Sequence, residues 1–160
     1  MNPRHSRDTH PLVRIPRILD RLGRLAIGYR LIPAESAEAD AIADWIEASF
    51  PFNYTQIDWS KVPGHTCLKW HDEDLLSSSI AALTSHVAAD TIVVVTWSDA
   101  SRPSLELRLC DALEVGAALF EGGDDTWILS ERENWCVEVH HEGTLCLGSG
   151  QRRPPVAPVA

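Results

Sequence analysis

Apolar positions change their period half-way along the chain. In the first half they recur every three or four residues. Ile42, Trp45 and Ile46 form one stripe behind Pro33-Ala34-Glu35-Ser36, which predicts an amphipathic helix over about 35–49, stopped before Pro51. Leu76, Ile80, Leu83 and Val87 form a second stripe and predict a helix over about 72–89. Its first turn carries Asp72, Glu73 and Asp74, where acids complement the helix dipole. Residues 50–70 keep neither period and read as a loop, with Trp59 and Trp70 as anchors and Pro63-Gly64 as a turn. At the N-terminus Ile18, Leu19, Leu22 and Leu25 stand between Arg14, Arg17, Arg21 and Arg24. A short basic helix over about 17–27 is one reading of that segment; a poorly ordered extension over residues 1–30 is the favoured one.

The second half reads as strands. Thr91–Trp97 is β-branched and almost unbroken in apolarity, as a central strand buried on both faces is. Leu105, Leu107 and Leu109 alternate with Glu106 and Arg108, which predicts a half-buried strand over about 104–109. Asp111 opens a short helix to about 121, carrying Leu113, Ala117 and Phe120 and ending at Gly122-Gly123. Three strands follow, at about 125–130, 134–140 and 144–148. The last two can be registered. A two-residue loop would set Val139 against Cys146, whereas the three-residue loop His141-Glu142-Gly143 sets Val139 against Leu145 and Val137 against Leu147. Only the second keeps apolar side chains together and puts Gly143 where a positive φ is wanted. The opposite face then carries Cys136, Glu138, His140 and Cys146. The prediction is one α+β domain over residues 31–149. An antiparallel or mixed sheet of about five strands packs against two or three helices. The Pro-rich QRRPPVAPVA is read as a disordered tail, residues 150–160, and residues 1–15 and 151–160 are expected to be dispensable for folding.

Composition adds a charge asymmetry. Residues 1–30 hold seven arginines and two aspartates, net +5, while the rest holds 7 Lys and Arg against 21 Asp and Glu, net −14, for −9 in total. Such an acidic body disfavours nucleic acid and favours solubility or a basic partner. No apolar run is long enough for a membrane helix, and no secretory leader is expected. Cys67, Cys110, Cys136 and Cys146 show no C-x-x-C spacing, so four free thiols in a reducing cytoplasm are expected.

The candidate chemistry is sparse. His140-His141-Glu142 is the most ligand-like run, yet neighbours on a strand face opposite ways. Cys67 and His71 make a C-x3-H with no second half, so no metal or cofactor is expected. Cys136 and His140 stand roughly 13 Å apart along a strand, too far for proton transfer. Trp45, Trp127 and Trp135 fall at buried positions, and a core role is also favoured for Trp59 and Trp70.

Thr91–Gly148 also resembles a known family. The resemblance rests on Trp97-Ser98-Asp99, Pro103, Asp125-Thr126-Trp127-Ile128 and Trp135-x-Val137-Glu138-Val139-x-His141-x-Gly143. These are similar to immunity proteins of bacterial contact-dependent growth inhibition and related polymorphic toxin systems. The resemblance implies a cytoplasmic, non-catalytic protein that binds the C-terminal toxin domain of a cognate effector, often a nuclease, and blocks it. The acids are the residues expected to meet a basic toxin: Asp72, Glu73 and Asp74; Glu121 with Asp124 and Asp125; Glu131 with Glu133, all expected to be solvated. Two rival readings stand beside it. One is a small cytosolic hydrolase using acids or Cys136, the other an adaptor or structural domain.

Overall fold

A computed structural model describes residues 15–121 and 124–151. The order is α1 (Pro16–Arg24), β1 (Arg30–Ile32), α2 (Ala37–Ser49), β2 (Phe52–Asn53), β3 (Gln56–Ile57), β4 (Thr66–Lys69), α3 (Leu76–Leu83), β5 (Ile92–Trp97), β6 (Ser104–Arg108), α4 (Leu109–Val115), β7 (Thr126–Ser130), β8 (Trp135–His140) and β9 (Thr144–Ser149). The fold is α+β. Seven strands form one antiparallel sheet in the order β1-β6-β5-β7-β8-β9-β4, and β2 pairs with β3 in a separate hairpin. The five strands read from the pattern are all present; the two added ones, β1 and β4, are the edges.

Layers cover both faces of the sheet. One face packs Val93, Val95, Leu105, Leu107, Ile128, Val137, Val139 and Leu145 against Ile18 and Leu22 of α1, Leu76 and Ile80 of α3, and Ala112 and Val115 of α4. The other face packs Leu129, Cys136, Cys146 and Trp127 against Ile42, Trp45 and Ile46 of α2 and the segment from Phe50 to Val62. With cover on both sides, β7 and β8 are buried at every position. That corrects the reading of 91–97 as the strand buried twice over. In β5, Val93, Val95 and Trp97 are buried, Val94 and Thr96 are half-buried, and Ile92 is exposed. The N-terminal segment is corrected too. Ile15, Ile18 and Leu22 are among the most buried side chains, so this part of the basic segment belongs to the core. Residues 1–14 and 152–160, which carry the rest of the expected extension and tail, lie outside the described residues. Gln151 itself is held, its N–H donating to Ser49 O at 2.7 Å and its side-chain amide to Lys61 O at 2.8 Å.

Two helices differ from expectation. A 3-10 turn at Glu73–Leu75 precedes α3, which stops at Leu83, where the Thr84 hydroxyl donates to Ile80 O. Helix α4 starts at Leu109 and breaks at Gly116, φ +71°, so the buried stripe is Leu109, Ala112, Val115 and Leu119 rather than Leu113 and Ala117. The 50–70 segment is also more ordered than a loop, holding β2, β3, a 3-10 turn at Trp59–Lys61 and β4. It is fastened by Glu138, 2% exposed on β8. Its carboxylate accepts from Ile57 N–H at 3.0 Å, Trp59 Nε1 at 2.9 Å and Trp127 Nε1 at 2.9 Å. Gly148 on β9 completes the seat, since a Cβ there would stand 2.7 Å from the Trp59 ring.

The β8–β9 register is the one the apolar pattern selects, with Val139 opposite Leu145 and Val137 opposite Leu147. Gly143 takes φ +93°, and a Cβ on it would meet Trp70 O at 2.9 Å. Cys67 and Cys146 are directly opposite each other on β4 and β9 and form a disulfide, Cα atoms 4.1 Å apart. The expectation of four free thiols is therefore overturned. Spacing rules found no pair because the pairing is made by β4, a strand with every residue exposed and no period to read. Cys110 and Cys136 are free.

Candidate functional site

The eight acids divide between the two ends of the sheet. Asp125 opens β7 and Glu131 follows its end, so a five-residue strand of roughly 17 Å separates them. At the first end stand Asp124 and Asp125, the β8–β9 turn, and the chain after β4. Trp70 N–H donates to Gly143 O at 2.9 Å, which brings Asp72, Glu73 and Asp74 to the same end. Glu73 and Glu121 line one cavity there together with Arg17 and Arg102. Glu131 and Glu133 occupy the β7–β8 turn at the far end.

Their electrostatic states differ. Asp72 accepts from Asp74 N–H at 2.9 Å and caps the 3-10 turn, while Asp72, Glu73 and Asp74 are exposed. Glu121 is paired with Arg17 at 3.0 Å. Asp124 is paired at 2.9 Å with Arg102, whose guanidinium also lies 4.5 Å from the Trp97 ring centroid. Glu133 is exposed and accepts from Trp135 Nε1 at 3.1 Å and Thr91 Oγ1 at 3.3 Å.

Asp125 is not solvated, contrary to expectation, being 3% exposed. Its Oδ1 accepts from the His141 backbone N–H at 2.9 Å and from His141 Nδ1 at 2.7 Å. Its Oδ2 stands 3.7 Å from His140 Nε2. The hydrogen bond to Asp125 raises the pKa of the half-exposed His141. The two imidazoles lie with centroids 4.5 Å apart, and ligand atoms of Asp125, His140 and His141 fall within 4.8 Å of one another. The expectation that the histidines face opposite ways fails because His141 sits past the end of β8, in the turn, where strand alternation no longer applies. The hydrogen bonds nevertheless suit a turn anchor better than a cation. Glu142 N–H points at His140 Nδ1 at 3.3 Å, which places the lone pair on Nδ1 and the ring proton on Nε2, toward Asp125. A metal ligand at Nε2 needs the opposite tautomer.

Cys136 does not present a nucleophile. It is fully buried, its thiol donates to Val137 O, and burial pushes its pKa well up, against the thiolate a nucleophile requires. Burial likewise raises Glu138, against the three N–H donors that favour its ionised form.

The sequence profile described as CdiI immunity protein EcoliA0-like matches residues 26–148. The chain belongs to this CdiI immunity protein family. The match covers β1 to β9, including the edge strands and α2, well beyond the stretch that carried the resemblance. No curated protein matches the chain. As a CdiI immunity protein it is part of a contact-dependent growth inhibition system, and among the described residues no helix is long and apolar enough to cross a membrane.

One further set of acids was not singled out from the sequence. Helix α2 carries Glu38, Asp40, Asp44 and Glu47 and no basic residue. Glu38 is engaged by Arg30, which also holds Glu106, tying β1 to α2 and β6. Asp40, Asp44 and Glu47 are exposed and make no ion pair among the described residues, although like charges at this spacing disfavour a helix. The signal was legible: one helical segment with four acids and no base.

Proposed function

We propose that this CdiI protein neutralises the C-terminal toxin domain of its cognate effector by binding it stoichiometrically in the cytoplasm, without catalysis, and that the toxin is a nuclease. Charge is the observation that carries the nuclease part of the reading. Asp72, Glu73 and Asp74 at one end of the sheet, and Asp40, Asp44 and Glu47 on α2, are exposed and lack ion pairs among the described residues. Glu131 and Glu133 add exposed acid at the far end. Acids in that state meet the lysines and arginines with which a nuclease holds phosphate, and so occupy its substrate site electrostatically. Asp124, Asp125 and Glu121 already have cationic or histidine partners, so they serve the fold first.

The reading is tested by expressing the toxin domain in cells with and without this chain, then titrating the purified pair in a nucleic-acid cleavage assay. Growth is restored and cleavage ends at one immunity chain per toxin domain. Growth arrest that persists despite the chain contradicts the immunity role. A toxin domain that arrests growth but cuts neither DNA nor RNA contradicts the nuclease assignment.

A further inference from the structure

An open groove of about 420 Å³ runs between α2, the tip of the β2–β3 hairpin and the sheet. Its walls include Ile42, Ile46, Phe52 and Trp127, and Ala39 and Ala43 keep the helix side shallow. Asp40 and Glu47 stand on its helix side, about two turns or ~10 Å apart along the axis, exposed and without an ion pair among the described residues. The only cation among the described lining residues, Arg102, is already engaged by Asp124 and the Trp97 ring.

At the mouth stands Tyr54, which is 97% exposed and holds φ at +58°. It is the first of the two residues turning β2 into β3, where positive φ is ordinarily supplied by glycine. Neither backbone economy nor burial accounts for a tyrosine there. The strained backbone thus projects an aromatic ring into solvent beside an apolar groove, an outlier that calls for a functional reason.

Resting on the immunity reading above, we infer that this groove receives a long cationic side chain, arginine or lysine, from the toxin domain. The aliphatic stem lies against Ile42, Phe52 and Trp127. The charged head reaches Asp40 or Glu47, and the Tyr54 ring covers it from the solvent side. The chemistry of the groove favours this occupant: apolar walls alone would suit any hydrophobic side chain, but two free carboxylates at the rim select a cation.

The test uses the full chain and the purified, catalytically inactivated C-terminal toxin domain of its cognate effector. Dissociation constants are measured for wild type, Tyr54→Gly, Ala43→Trp and the double variant Asp40→Asn with Glu47→Gln, with thermal unfolding of each free protein. Tyr54→Gly relieves the positive-φ strain, so its melting temperature stays level or rises while binding weakens at least tenfold. Ala43→Trp fills the groove from an exposed helix position and weakens binding by a similar factor. The double variant loses about tenfold and shows a shallower salt dependence. A complex of wild-type affinity, within twofold in all three variants, overturns the groove while leaving the immunity role intact. Failure of wild type itself to bind the domain overturns both.

Discussion

The two faces of the sheet are held by different physics. Against α1, α3 and α4 the contact is a continuous apolar core, with Leu22, Leu76, Ile80, Val95, Leu105 and Ile128 essentially inaccessible. Against α2 and the 50–62 segment the apolar contact is centred on tryptophans, and a single buried carboxylate, Glu138, takes three N–H donors from β3, the 3-10 turn and β7. Hydrophobic burial is distributed and tolerant, whereas a polar cluster fails as a unit, because each donor it releases is left buried and unpaired. The regular face serves as scaffold. The tryptophan face carries α2 with its exposed Asp40, Asp44 and Glu47, and the hairpin with Tyr54, which are the parts proposed above to meet a partner.

Glu138→Ala breaks the comparison most directly. It is expected to cost roughly 4 kcal/mol, since three buried donors lose their acceptor at about 1–3 kcal/mol each and partial relaxation recovers some of it. The loss should be local first: hydrogen exchange accelerates over 50–62 before the sheet opens. Ile80→Ala, on the other face, is expected to cost about 3 kcal/mol with no such local stage. Equal exchange profiles for the two variants would contradict the distinction.

A smaller effect is expected at the sheet edge. Cys67→Ser opens a loop of 79 residues and is expected to cost about 2–3 kcal/mol in oxidised protein and nothing measurable in reduced protein. Thiol titration of the denatured wild type without reductant should count two, Cys110 and Cys136. A count of four in freshly prepared protein would contradict the pairing.

The smallest effect is expected at the turn. Asp125→Asn keeps one acceptor for His141 and is expected to cost about 1 kcal/mol. It should also change the pH profile. Because the folded state raises the His141 pKa, that contribution is fully present below the ordinary histidine value of about 6.5 and is lost as pH rises through the folded value. Wild-type stability therefore declines slightly through that window, and in Asp125→Asn the decline is expected to flatten. A decline of unchanged slope, measured by urea unfolding at several pH values, would remove Asp125 as its cause.

What the sequence disclosed follows the same division. Strands β5 to β9 were legible because apolar runs or alternation mark them, and the apolar pattern also selects the β8–β9 register. The edges were not. β1 has three residues, and all of β4 is exposed, so partner strands rather than their own pattern define them, and the Cys67–Cys146 bond was hidden with β4. The 50–62 segment was opaque because a side chain some 80 residues away, Glu138, orders it. Among the acids, charge alone could not separate exposed Asp72 from buried Asp125, since the difference lies in the histidine turn that folds over the second.

The central claim is that unpaired surface acids on this immunity protein meet a basic toxin, and the association rate with the toxin domain as a function of ionic strength tests it most directly. Stopped-flow mixing at low salt should give fast association that falls roughly 10- to 100-fold as salt is raised past physiological strength, where the Debye length is about 8 Å. Reversing Asp72, Glu73 and Asp74 to lysine should flatten that dependence. An association rate that does not change with salt, in wild type and reversed protein alike, would contradict the account.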